Sequence, residues 1–395
     1  MVTSGSFGIY LYGIIPTGEQ ITFDVAGADA DHDEVYSIPH DSHSTTLQQA
    51  QGDSSGQAIA AVVSASPLPD YRNLKRNDAA RYLVAHQRVV ETVMQDFPIL
   101  PAKFGTVLAN ESQVRRLLAQ GQRPFREALE KFADLVQMEV VVLWDLQKVF
   151  QEIGQETTIA DLKAQIANRP VEETLSERIT IGQLVQAALE QRRASLLKRL
   201  VPPLREVALD SVINPLMDDS MIANLALLVD KAGREALDRR LAALDQEFEG
   251  RFRFRCVGPL SPYSFASVEV QALSFEVVDQ ARRCLGLEET TTTTDIKQTY
   301  RRCASQLHPD HNPNTPDTEA RMTELTQAYQ LLTAYAESQT LLQAGEHGGG
   351  AVEVHRSQRS KDHSSPLASR PPCMFTRQAV EQTLLIAIQR QEVMV

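Results

Sequence analysis

The first 75 residues carry short hydrophobic runs separated by polar stretches, a pattern that is typical of β-strands joined by loops. Three of these runs are rich in β-branched and aromatic residues and predict strands: FGIYLYGIIP, EVYSIPH and QAIAAVVSASP. The stretches between them, DVAGADADHDEV and DSHSTTLQQAQGDSSG, are rich in Gly, Asp and Ser and predict loops.

From Asp78 the hydrophobic spacing changes to three and four residues, which predicts an amphipathic helix. The segment ILPAKFGTVL that follows is expected to be extended. After it, a second helical stretch is expected to form two helices, broken around Gly121 and Pro124. Residues 1–135 are thus predicted to form one α+β module.

A second module is predicted over residues 136–274. It opens with the strand-like run MEVVVLWD and continues through helical segments to about Ser211. It ends with the strand MIANLALLVD, the helix KAGREALDRRLAALDQEFEG and the strand RFRFRCVG. Strands and helices that alternate in this way favour a split β-α-β sheet with one face under helices, so the body of the chain is predicted to be α+β.

Two helical patterns surround the segment CASQLHPDHNPN within residues 275–342. Each has an apolar face, made by Ile296, Tyr300, Ala304 and Leu307 in the first pattern and by Met322, Leu325, Ala328, Tyr329 and Leu332 in the second. Such helices pack as an antiparallel hairpin, and the proline bend between them projects His308, Pro309 and Asp310. This region is predicted to be an all-α domain.

The end of the chain changes composition twice. Residues 343–372 are rich in Gly, Ser, Pro and charged residues, which predicts a flexible linker. Residues 373–395 return to helical spacing through Val380, Leu384 and Ile388, which predicts an amphipathic helix. Two roles are open for this helix, folding back on its own domains or binding a partner.

Composition and charge argue against several classes of function, among them nucleic-acid binding and a zinc or redox site. The formal net charge is −12 with a pI near 5.3, whereas nucleic-acid binding needs clustered excess Lys and Arg. The four cysteines form no C-x-x-C pair, which disfavours a zinc or redox site. The N-terminus lacks a basic region, and no apolar run approaches the ~18 residues of a membrane span. In residues 1–275 no nucleophile with a base, phosphate loop or carboxylate pair stands in a recognisable frame, so we expect a protein that is not an enzyme and has no cofactor. The cysteine usage and the N-terminus lead us to expect a cytoplasmic protein.

Three motifs occur in order along the first 270 residues. They are carried by Tyr10, Tyr12, Gly13 and Pro16, by Leu100, Pro101, Lys103, Phe104, Gly105 and Thr106, and by Gly258, Pro259, Pro262, Tyr263, Ser264 and Phe265. Together they resemble the gas vesicle protein F and L family (GvpF/GvpL) over roughly Phe7–Val270. Each motif alone also fits an ordinary turn, because glycine and proline shape tight bends.

The resemblance implies two α+β modules of ferredoxin-like kind. It also implies a minor structural or assembly role in gas vesicles, with the small hydrophobic shell protein (GvpA type) and other gas vesicle proteins as partners. Lys103 is then a candidate contact, although a lysine at this position also fits an ion pair with a carboxylate or simple solvation.

A second resemblance covers about Phe275–Ser338. The motifs LGL, DIKQTYRR, HPDHNP and QAYQLL occur there in order, and they are similar to those of a J domain, the module that stimulates ATP hydrolysis by DnaK-type chaperones. The resemblance implies chaperone contacts at His308, Pro309, Asp310, Lys297, Arg301 and Arg302. Residues 281–340 hold six Lys and Arg against eight Asp and Glu, so the positive face is thinner than is usual for the family.

Two other interpretations of the His308 turn are open. His308, Asp310 and His311 could ligate a metal ion, but a further ligand at helical or hairpin spacing is missing. The hairpin could also be a relic that packs on the core without binding a chaperone. Our hypothesis is a gas vesicle assembly protein that holds shell subunits and recruits a DnaK-type chaperone. The alternative is a general J-domain co-chaperone whose first 270 residues bind an unrelated client.

Overall fold

The N-terminal hydrophobic runs form an antiparallel sheet in the computed structural model, which describes residues 8–28, 34–40, 58–68, 70–71, 73–307, 318–346 and 372–390. The elements are β1 (Ile9–Ile15), β2 (Thr22–Ala26), β3 (Glu34–Pro39), β4 (Ala60–Ala65), α1 (Arg76–Asp96), β5 (Leu100–Pro101), β6 (Val107–Leu108) and α2 (Glu111–Phe132). The strand order is β2-β3-β4-β1-β5, and β6 also pairs with β1. The three predicted strands are confirmed as β1, β3 and β4.

Two predictions for this module are wrong. The loop expected from Asp24 onward begins later, because β2 extends to Ala26 and buries Phe23. The two helices expected around Gly121 and Pro124 are the single helix α2. An internal proline costs about 3 kcal/mol, and the burial of an apolar stripe that includes Phe125 outweighs this cost.

The next elements build a four-stranded antiparallel sheet. They are β7 (Leu135–Trp144), α3 (Leu146–Gly154), α4 (Thr157–Ile166), α5 (Leu175–Glu206), β8 (Asp210–Ile213), β9 (Met221–Asp230), α6 (Arg234–Glu247) and β10 (Phe252–Leu260). The sheet order is β10-β7-β9-β8, and the chain order is β-α-β-β-α-β. Alternate residues of β7 face the helices and form the core with them. The sequence pattern missed only β8 here, because four residues are too few to show a period.

The remaining helices form the predicted hairpin. The elements are β11 (Ser267–Ala272), α7 (Phe275–Leu285), β12 (Thr290–Thr291), α8 (Thr293–Leu307), α9 (Thr318–Glu346), β13 (Cys373–Met374), α10 (Arg377–Gln382) and β14 (Leu384–Gln389). The apolar faces of α8 and α9 meet in one core with α7, as the helical spacing predicted.

The amphipathic helix predicted over residues 373–395 is wrong for residues 373–390, and residues 391–395 lie outside the described part of the chain. Residues 372–390 instead form β13, the short helix α10 and β14. β13 pairs with β12, and β14 pairs with β11. The run Leu384–Ile388 fits both a helical and an alternating pattern, and pairing with β11 decides in favour of the strand. Of the two roles left open, folding back on the protein's own domains is the one observed.

The chain divides into two compact units, Met1–Leu129 with Val268–Ile388 and Glu130–Ser267 with Gln389–Val395. The predicted division into domains 1–135, 136–274 and 275–342 stays a prediction. Both units mix helices and strands, which agrees with the α+β fold class. In the described part of the chain, every helix is too short or too polar to cross a bilayer.

Candidate interaction surfaces

The first two sequence motifs meet in an aromatic cluster beneath the N-terminal sheet. Tyr10 and Tyr12 lie on the same face of β1, are fully buried, and have ring centroids 4.8 Å apart. His86 of α1 lies against both rings, with centroids 5.7 and 5.6 Å away. The Tyr10 hydroxyl is 3.0 Å from Nδ1 of His86 and accepts the Gly105 N–H at 3.0 Å. Tyr10 therefore ties the first motif to the second.

The polar groups of this cluster are neutral at physiological pH. Burial lowers the pKa of His86 to about 4 and raises the pKa of the Tyr10 hydroxyl above its usual value. Nδ1 of a neutral histidine can accept a hydrogen bond from the Tyr10 hydroxyl. A charged imidazolium at this buried position would be unfavourable, because it would lose its hydration. The cluster is thus suited to holding the sheet and α1 together.

The second motif forms a turn beside the cluster. Gly105 has a φ of +81°, a left-handed conformation that glycine adopts without strain. Phe104 packs edge-on to Tyr71 of the same core. Pro101 lies opposite Gly13 in the pairing of β5 with β1. These motif residues therefore shape the backbone and are largely enclosed.

Lys103 is the exposed member of this motif. Its Nζ lies 2.6 Å from Oε1 of Glu269, and its backbone N–H donates to the carbonyl of Val268. The Lys103 side chain is 60% exposed, so the ion pair contributes little to stability. Of the roles open to Lys103, pairing with a carboxylate is the one observed.

The third motif lies in the other unit and is also a turn. Gly258 has a φ of +142° and lies against the Gln137 carbonyl, in the cis Gly258–Pro259 segment. The Tyr263 hydroxyl donates to Oε1 of Glu139, and the Ser264 N–H donates to Oε1 of Gln137 at 2.9 Å. Phe265 is buried in a small cluster, and Pro262 accepts the backbone N–H groups that close the turn. Burial raises the pKa of Tyr263, which therefore stays protonated.

The LGL motif ends α7 and starts the helical core. Gly286 is its left-handed cap, and Leu285 and Leu287 on either side are both buried. Arg282 donates to the Leu287 carbonyl at 2.6 Å and pairs with Asp279 at 2.7 Å. The motif thus fixes the direction in which the chain enters α8.

A reciprocal cap begins α8. The Thr292 N–H donates to the Asp295 carboxylate, and the Asp295 N–H donates to the Thr292 hydroxyl. Further along, Tyr300 stacks on Tyr329 of α9 with ring centroids 4.1 Å apart. These contacts fix the rotation of α8 about its axis, so that its opposite face is turned to solvent.

The predicted basic contacts lie on that solvent face. Lys297, Arg301 and Arg302 are all exposed. Among the described residues, none of the three has an ion-pair partner. His308, Pro309 and Asp310 lie outside the described residues, so the basic face is the part of the predicted chaperone contact that the structure contains.

The C-terminal segment packs into the core formed by α7, α8 and α9. The sequence analysis did not predict this packing. Phe375 is 1% exposed and stacks on Tyr335 of α9, with ring centroids 5.4 Å apart. The Tyr335 hydroxyl and the Gln339 amide both donate to the Met374 carbonyl, and Gln339 accepts the Met374 N–H. Residues 372–388 are therefore an integral part of the first unit.

Metal-binding groups are scattered. In the ranges that the structure describes, no three His, Cys, Asp or Glu side chains converge on one point. The four cysteines are unpaired, and burial raises the pKa of the Cys373 thiol to about 12. The alternative metal site at His308 and His311 lies outside the described residues.

Comparison with protein families places two matches on this chain. The model for the gas vesicle synthesis protein GvpL/GvpF matches residues 8–267, and the model for the DnaJ domain matches residues 283–339. The two matches cover the same stretches as the sequence motifs. Residues 340–395 lie beyond both of them.

Several known proteins are similar to parts of this chain. Gas vesicle protein F of Nostoc sp. is 26% identical over 267 residues, which are 67% of this chain and 99% of that protein. The chaperone protein DnaJ of Salinibacter ruber is 36% identical over 64 residues, 16% of each chain. The crystal structure of the gas vesicle protein GvpF from Anabaena sp. covers 65% of this chain and 97% of its own, with 26% identity and a TM-score of 0.48.

Proposed function

This chain belongs to the gas vesicle synthesis protein GvpL/GvpF family, and from that premise we propose that it acts in gas vesicle assembly as a protein that binds the hydrophobic shell protein and recruits a DnaK-type chaperone to it. The DnaJ domain match over residues 283–339 supports the second role. The partners are then the shell protein, other gas vesicle proteins and the chaperone, and the site of action is the cytoplasm and the growing gas vesicle.

The observation that carries the chaperone role is the solvent face of α8. Tyr300 packs toward α9, which leaves Lys297, Arg301 and Arg302 exposed on the other side. Three cations on one helix face suit an acidic surface on a partner, because complementary charge speeds association.

The test of the chaperone role is single-turnover ATP hydrolysis by the host DnaK-type chaperone. Wild-type protein should accelerate hydrolysis, and His308→Gln and Asp310→Asn should abolish the acceleration. Arg301→Glu should weaken it several-fold, more so at low salt. Arg239→Glu is the matched control, since Arg239 is an exposed arginine on α6 of the other unit, and it should leave the rate unchanged.

Failure of the wild-type protein to accelerate hydrolysis at any concentration would contradict the co-chaperone role. Equal loss in Arg301→Glu and Arg239→Glu would mean that overall charge, rather than the α8 face, matters. Zinc that is present in the purified protein and lost in His308→Gln would favour the metal site instead.

Shell binding is tested separately by co-sedimentation of the full chain with purified shell protein. Wild type and His308→Gln should co-sediment equally, because the substitution lies in the DnaJ match and outside the GvpL/GvpF match. A wild-type protein that stays in the supernatant would contradict shell binding. It would leave the general co-chaperone with an unrelated client as the better function.

A further inference from the structure

One face of the four-stranded sheet in the second unit is partly open to solvent. The even-numbered residues of β7 pack against the helices, whereas Val141 and Leu143 point to the opposite face and are only partly buried. On the edge strand β10 they lie opposite Arg255 and Arg253, and Val257 on the same strand is 38% exposed. We call these five residues the cationic face.

The two arginines of the cationic face have no acidic partner. Both are exposed, and within the described ranges neither the Arg253 nor the Arg255 guanidinium makes an ion pair or a hydrogen bond. The acidic residue opposite Val257 is Glu139, whose carboxylate accepts the Tyr263 hydroxyl. Unpaired arginines beside apolar side chains suit a partner surface that is both acidic and apolar.

A surface of that kind lies on the same unit, at the start of α5. Leu175 and Ile179 are one helical turn apart, and Val171 precedes Leu175 by four residues in the turn that leads into the helix. All three side chains are between 55% and 60% exposed. Glu172 and Glu173 beside them are also exposed and have no ion-pair partner among the described residues. We call these five residues the acidic ridge.

The arginines near the acidic ridge are already engaged. Arg169 lies 3.2 Å from Glu177, and Nε of Arg178 donates to the Thr174 hydroxyl at 3.0 Å. The unpaired charge of the ridge is therefore negative. Large apolar side chains that are exposed as a group, rather than singly, mark interaction sites.

The two surfaces lie on opposite sides of the sheet. The helix α5 packs on the covered side through Leu184, Leu189 and Leu200, whereas the cationic face is on the open side. Leu175 and Ile179 are exposed and so lie on the solvent side of α5. The acidic ridge of one molecule therefore cannot reach the cationic face of the same molecule.

We propose that the acidic ridge of one copy of this chain binds the cationic face of a second copy, so that copies associate head to tail. Glu172 and Glu173 pair with Arg253 and Arg255, and the apolar side chains of the two surfaces pack between these pairs. Contact between two cationic faces is disfavoured, because it would bring unpaired arginines together. Each contact leaves one ridge and one face free, so the association continues beyond two copies.

The experiment is sedimentation velocity of the purified full-length protein at increasing concentration, without shell protein. The average sedimentation coefficient of wild type should rise beyond that of two copies, and added salt should lower it. Reversing both arginines to glutamate, or both glutamates to arginine, should weaken self-association about tenfold or more. Arg239→Glu and Glu235→Arg, the same changes at exposed sites on α6, should leave it unchanged.

Mixing the two reversed variants gives the sharpest result. Each variant alone repels its own kind at the contact, but in the mixture every ridge meets a face of opposite charge, so association should return to the wild-type level. General attraction between the variants does not explain such a recovery, because the wild-type net charge is −12 and both variants remain negative.

The outcomes decide for or against the inference without reference to the proposed function. Wild type that sediments as one copy at every concentration, or that stops at two copies, would overturn head-to-tail association. A mixture of the reversed variants that stays monomeric would overturn the pairing of these two surfaces. Circular dichroism checks that each variant is folded. If one is not, the milder Arg255→Gln and Glu173→Gln decide, because each should weaken self-association several-fold.

Discussion

Lowering the pH should destabilise the first unit through His86. The side chain is 6% exposed, and burial lowers its pKa to about 4, whereas an unfolded histidine titrates near 6.5. Above about pH 6.5 the histidine is neutral in both states, and its contribution to stability is fully present. Below that pH the unfolded chain takes up a proton that the folded protein does not, so the free energy of unfolding falls.

The magnitude follows from the two pKa values. Each pKa unit corresponds to about 1.4 kcal/mol, so the loss is about 2 kcal/mol between pH 7 and 5 and about 3 kcal/mol by pH 4. Below about pH 4 the folded protein is also protonated, and the loss from His86 stops growing. The Tyr10 hydroxyl 3.0 Å away does not titrate in this range, because burial raises its pKa.

The assay is urea unfolding from pH 7.5 to 4.5, followed by the near-ultraviolet circular dichroism of the tyrosines in the cluster. His86→Asn is the control, because the asparagine amide can still accept a hydrogen bond from the Tyr10 hydroxyl but does not titrate. Carboxylates elsewhere contribute equally to both proteins, so the difference between their pH slopes isolates His86. Parallel curves for wild type and His86→Asn would refute the reasoning.

Three further substitutions test other parts of the structure by thermal or urea unfolding. Gly258→Ala should destabilise the second unit by about 1–3 kcal/mol, because a Cβ would lie 2.7 Å from the Met138 sulfur at a φ of +142°; wild-type stability would contradict the tight turn. Phe375→Ala should lower the free energy of unfolding by about 3–5 kcal/mol, because Phe375 is 1% exposed. A decrease of less than about 1 kcal/mol would mean that the C-terminal segment is not part of the core. Lys103→Ala should change stability by less than about 1 kcal/mol, because its pair with Glu269 is exposed, and a larger loss would show a role that the ion pair does not explain.

Local patterns predicted the helical hairpin and the longer strands well. The faces of α8 and α9 followed from spacing alone, because amphipathic helices of this length carry several turns of signal. β2 and β8 were missed because they have too few residues to establish a period. The C-terminal strand β14 was mistaken for a helix, since its apolar run fits both periods and only its partner β11 distinguishes them.

The motifs predicted the families but not the roles of individual residues. Tyr10 and Gly105 were singled out from sequence, and the structure shows that they are joined through a hydrogen bond. His86 was missed, because it is a lone polar residue within a helix. The helical period of α1 hints that His86 lies on the buried face, but nothing local says that its ring lies against Tyr10 and Tyr12. Such features arise only when distant segments pack together.

The first unit is discontinuous along the chain, and this has a consequence for its synthesis. The N-terminal sheet leaves the ribosome first, but β13 and β14 lie some 240 residues after the end of its first segment at Leu129. At cellular rates of translation that distance takes roughly 10–50 s. The second unit is nearly continuous and can fold during this interval. Until Phe375 arrives, the nascent chain exposes the apolar surface of α7 and α9 that Phe375 covers in the folded protein.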